Sequence, residues 1–117
     1  MLQNRARMLI AASLAALALA GCGGSTVERS IAAATVDTAP GFAPDVITVD
    51  KGEEVVLTVG NTTTRPHGFA IEGYGVLEEV NPNIPLEVRF IARKGGTFKV
   101  YCQLHKETHQ PATLVVQ

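Results

Sequence analysis

The strongest constraint on this chain is an alternation of apolar and polar residues with period two, broken by Gly or Pro about every ten residues. Val55-Val56-Leu57-Thr58-Val59 places Val55, Leu57 and Val59 on one face. Leu86-Glu87-Val88-Arg89-Phe90 sends Leu86, Val88 and Phe90 one way and Glu87 and Arg89 the other. Thr97 to Cys102 aligns Phe98, Val100 and Cys102 against Lys99, and His67 is in phase with Phe69 and Ile71. No window beyond residue 30 keeps a helical period. Turn signals separate the runs at Pro40-Gly41, Asp50-Lys51-Gly52, Asn61 to Pro66, Gly73-Tyr74-Gly75, Asn81-Pro82 and Gly95-Gly96. The pattern predicts an all-β chain of about seven or eight short strands, closed as an antiparallel sandwich or barrel. Ser30 to Asp37 is rich in alanine and carries little strand signal.

The first segment follows other rules. Arg5 and Arg7 form a basic start without acids, and Met8 to Ala20 is an apolar run of thirteen residues. A helix needs about 20 such residues to span a bilayer, so this run suits the core of a secretory signal. It ends in Leu19-Ala20-Gly21-Cys22, which resembles the lipobox of bacterial lipoproteins. That resemblance implies cleavage after residue 21, lipid on Cys22, and a protein anchored outside the cytoplasm on a bacterial membrane. Residues 22–30 then read as the lipidated Cys and a flexible tether, and residues 31–117 as the folded domain. Removing Arg5 and Arg7 leaves eight basic residues against eleven acidic ones, a net charge of −3. A chain of that size has room for one modest core.

Composition narrows the function. Aromatic residues are 5% of the chain and Trp is absent, which argues against a stacking platform for bases, and nothing in the charge balance marks a nucleic-acid partner. The informative residues are scarce: beyond residue 22 there are one Cys, three His and no Met. Cys102, His105 and His109 fall within eight residues, and His67 lies at the start of a strand. Each alone has a plain structural explanation: a hydrogen-bonded core His, a small buried thiol, a solvated surface His. Their joint placement at strand ends points instead to a metal site. Thiolate and imidazole suit copper or zinc, whereas hard cations want oxygen. A closed tetrahedral set of Cys102 and the three His would suit zinc. With lipid on its sulfur Cys22 cannot pair with Cys102, which leaves Cys102 a free thiol in an oxidising compartment.

Four stretches carry a family resemblance: Gly41-Phe42-Ala43-Pro44 leading to Ile47-Thr48-Val49 and Gly52; Val55 to Asn61; Pro66-His67-Gly68-Phe69; and Gly96 through Tyr101-Cys102-Gln103-Leu104-His105. From about Phe42 to Gln117 the chain resembles the cupredoxins, the plastocyanin- and azurin-like copper proteins. The resemblance implies a Greek-key β-sandwich holding one copper ion at one end, with His67, Cys102 and His105 as ligands. Cupredoxins usually add a weak axial Met, and no Met stands after residue 8. Counting back from the strand at Ala112 offers His109 in one register and Gln110 in the other. His109 is preferred, because imidazole is the commonest metal ligand and Gln110 precedes Pro111, which restricts its backbone. The expected metal set is therefore His67, Cys102, His105 and His109. The function this implies is not enzymatic: a monomer passing single electrons between redox partner proteins, tethered to a membrane through Cys22. Capture and delivery of copper, or a structural zinc-binding domain, each using the same ligands, are the alternatives.

Overall fold

The computed structural model describes residues 24–117. The signal segment and Cys22 lie outside the described residues.

Nine strands form among them: β1 (Thr26–Val36), β2 (Ala39–Ala43), β3 (Val46–Val49), β4 (Glu54–Asn61), β5 (His67–Ile71), β6 (Val76–Val80), β7 (Leu86–Ile91), β8 (Gly96–Tyr101) and β9 (Ala112–Val116). They make two sheets, ordered β2-β1-β4-β7 and β3-β9-β8-β5-β6. The chain changes sheet after β2, β3, β4, β6 and β7, which is how a sandwich closes. Two pairings, β1 with β4 and β3 with β9, are parallel. The expected all-β sandwich is present.

The alternation read from the sequence is the packing. Val88 is buried between the exposed Glu87 and Arg89, and Ala112, Leu114 and Val116 are buried with Thr113 and Val115 between them less so. Val55, Leu57, Val59, Phe69, Val100 and Leu114 are each at most 1% exposed and fill the space between the sheets. Fully burying a side chain of that kind stabilises the fold by about 1.5–3 kcal/mol.

Two expectations at the N-terminal side are corrected. The flexible tether over residues 22–30 gives way to strand at Thr26, because β1 runs in parallel register with β4 from Thr26↔Glu54 to Ala33↔Asn61. Backbone pairing orders Thr26–Ser30 although their side chains are mostly exposed, so hydropathy holds no trace of it. Pro40-Gly41, read as a turn, lies inside β2. The hairpin turn is Asp37-Thr38, with φ of 49° and 70°. Positive φ at both central residues matches the twist of a two-residue hairpin, but Thr is an unusual occupant and hides the signal.

All the strands run between two poles. One carries the turn at Asp50–Glu53 and the loop at Ala92–Gly95; the other carries the β4–β5 and β8–β9 loops, and with them every His and Cys among the described residues.

Candidate metal centre

His67 opens β5 and is 6% exposed, facing inward in phase with Phe69. The loop before it is held by Asn61 at the end of β4, itself buried. Asn61 Nδ2 donates to Arg65 O at 2.8 Å and Val80 O at 2.9 Å. Its Oδ1 accepts from Thr63 N at 2.9 Å and Thr63 Oγ1 at 2.7 Å. Asn61 thereby ties the turn, the first ligand candidate and the end of β6 into one piece. The sequence marked it as the end of the Val55 to Asn61 stretch and the start of a turn, with no role at the site; an Asn at a strand end followed by Thr-Thr-Thr is the signal that was available.

Cys102 continues β8 by one residue, on the face of Val100, and is 1% exposed. Its Sγ accepts the Gly68 N–H at 3.1 Å. The chain then coils: His105 N–H donates to Cys102 O at 3.2 Å and His109 N–H to His105 O at 2.9 Å. This local winding brings residues four apart onto one side, as in a helical turn. His105 Nδ1 is 3.6 Å from Cys102 Sγ, and His67 Nδ1 is 4.0 Å from it. The His67 ring centroid stands 5.0 Å from that of His109 and 5.4 Å from that of His105.

Ligand atoms of His67, Cys102 and His109 lie within 4.8 Å of one another, and all three residues are buried. His109 is 4% exposed, with its ring 4.5 Å from that of Phe42. Its Nδ1 faces Gln110 O at 3.1 Å, which makes Nδ1 the donor and leaves Nε2 the free lone pair. That Nε2 is buried without a hydrogen-bond partner. An orphaned buried nitrogen beside a thiol and two imidazoles is the arrangement a soft or borderline metal ion completes. Gln110 is elsewhere: its N–H binds Pro40 O at 2.8 Å, and it borders a surface depression with Val36, Asp37 and Pro44.

Burial lowers the pKa of His67, with His109 and His105 adding repulsion. Burial also lowers that of His109; its bond to Gln110 O opposes the shift and His105 reinforces it. Both effects keep the imidazoles neutral, the form that binds metal. His105 is only half-buried and gives the cluster an edge at the surface, beside Leu104, which is 46% exposed.

A two-sheet sandwich with a His/Cys/His cluster buried at one pole defines a mononuclear copper domain. The chain belongs to the family described as the cupredoxin-like domain, whose model matches residues 9–116. Nitrous-oxide reductase of Cupriavidus necator is 36% identical over 77 residues, covering 63% of this chain and 12% of that enzyme. The chain thus spans about a tenth of that relative. Cytochrome c oxidase subunit 2 of Thermus thermophilus is 31% identical over 62 residues, covering 53% of this chain and 45% of the subunit. Auracyanin A, a "blue" copper protein of Chloroflexus aurantiacus, shares the fold with a TM-score of 0.64 at 18% identity, over 79% of this chain and 99% of its own.

Proposed function

We propose that the chain is a carrier of single electrons, not an enzyme, held outside the cytoplasm by lipid on Cys22, with His67, Cys102, His105 and His109 as its copper ligands. The observation that carries the ligand set is the buried, unpartnered Nε2 of His109 among the other donors. Copper bound there supplies a one-electron change between Cu(I) and Cu(II), and thiolate with imidazoles is a compromise between the preferences of the two states.

The chain's own residues supply the rest. Burial keeps His67 and His109 neutral and ready to ligate. The Gly68 N–H stabilises negative charge on Cys102 Sγ. Asn61 and the paired strands hold the donors in one arrangement, so little protein rearrangement opposes a change of charge. The half-buried edge of His105 is the point from which an electron reaches the surface, and exposed Leu104 beside it offers a partner a small apolar contact.

The test uses residues 23–117 titrated with Cu(II). One equivalent should bind and give an intense thiolate-to-copper absorption band. Cys102→Ser should abolish the band, His109→Ala should shift it and change the EPR hyperfine pattern, and Gln110→Ala should do much less. Copper bound without such a band removes Cys102 from the ligand set. Slow redox cycling with ready release of copper to an acceptor would favour copper delivery instead.

A further inference from the structure

The start of β1 lies at the pole opposite the metal cluster. Thr26 pairs with Glu54, Glu54 N–H donates to Ser25 O at 2.9 Å, and a Cβ on Gly24 would stand 3.1 Å from Gly52 O. The described chain therefore enters beside the Asp50–Glu53 turn. That pole is braced by backbone bonds of 2.8 Å from Gly52 N–H to Ala92 O and from Lys51 N–H to Gln117 O. Tyr74 Oη clamps both the N–H and the C=O of Lys94. The cluster sits at the far ends of the same strands: β8, Gly96–Tyr101, alone separates the poles by about 20 Å at roughly 3.3 Å per residue.

Only Gly23 and Gly24 stand between Cys22 and Ser25. Three Cα steps reach about 11 Å at full extension. For the metal pole to touch the membrane, Ser25 would have to rise about 20 Å above it, which that leash does not allow. Charge does not favour this pole, and the orientation rests on the length of the leash. Lys51, Arg93 and Lys94 are exposed, and the ion pair among the described residues is Arg89 with Glu87, not one of these. Asp50, Glu53, Glu54 and Glu72 stand at the same pole; the Asp50 N–H and Ser25 Oγ hold the Glu53 carboxylate in place without cancelling its charge.

We propose that the pole bearing Lys51, Tyr74, Arg93 and Lys94 rests on the phospholipid surface that anchors Cys22, so that the metal pole faces away from the membrane. The proposal rests on the lipid anchor proposed above. It deepens that reading, because the electron partner must then present a water-exposed domain at that height and cannot be a carrier dissolved in the lipid.

The chain has no Trp, so one introduced Trp reports without background. Ile91, 43% exposed at the membrane pole, and Leu104, 46% exposed at the metal pole, are matched sites. Full-length lipidated I91W and L104W proteins are reconstituted in vesicles of phosphatidylcholine and phosphatidylglycerol, with and without nitroxide-labelled headgroups. The ratio of the two emissions should show quenching several-fold stronger for I91W. Inserting about twenty Gly/Ser residues after Gly23 should erase the contrast; its persistence overturns the short leash as the cause. Equal or stronger quenching of L104W in acylated protein overturns the orientation and leaves the anchor standing. Mass spectrometry that finds no acyl group on Cys22 overturns both.

Discussion

Gly68 lies between the thiol and the side chain that covers it. Its N–H points to Cys102 Sγ, and it has no Cβ where Gln103 crosses β5. Gln103 Nε2 reaches over it to Glu78 O at 2.8 Å. A Cβ at position 68 would meet the Gln103 carboxamide and stand 2.9 Å from the Gln103 backbone nitrogen. Gly68→Ala should therefore cost about 1–3 kcal/mol through overpacking and push Cys102 away from its hydrogen bond. We expect a lower denaturant midpoint and a shifted copper absorption band. Adding Gln103→Ala should restore part of the stability, because the backbone contact remains.

At the scale of elements, the metal pole consists of two loops held by different means. The β8–β9 loop winds on itself through His105 and His109. The β4–β5 loop depends on Asn61, whose amide uses both its donor and its acceptor ends. Asn61→Ala removes all four bonds and leaves Val80 O without its side-chain donor. The expected loss is about 2–3 kcal/mol by chemical denaturation. The copper band should weaken as well, since His67 follows directly on that loop. Loss of stability with an unchanged band would mean that β5 alone places His67.

For the whole molecule, the buried histidines link folding to pH. The unfolded chain takes up protons on His near pH 6.5, while the folded chain resists protonation at His67 and His109. The unfolded state then binds more protons, so stability is full above pH 6.5 and is lost as pH falls through that value towards the lower folded values. Melting temperatures of metal-free protein, recorded with a chelator from pH 8 to 5, should fall across this window. The variant carrying both His67→Gln and His109→Gln should flatten the dependence. An equal slope in both proteins would assign the acid sensitivity to other groups.

Much of this architecture was legible in the sequence, because a half-buried strand must alternate: β4, β5, β7 and β8 were readable from single windows, as was the shared facing of His67 and Cys102. The absence of Met after residue 8 already ruled out the usual axial ligand, and the clustering of Cys102, His105 and His109 within eight residues already marked their loop. Other features required the folded chain. The pairing of Thr26–Ser30 with β4 is a backbone matter between exposed side chains, so hydropathy does not record it. The placing of Asn61 across three segments, the bare face of Gly68 under Gln103, and the turning of Gln110 outward while His109 turns in depend on neighbours distant in sequence. Period two assigns a side chain to a face; only the packing of two sheets decides which faces share a pole and which donor atoms meet there.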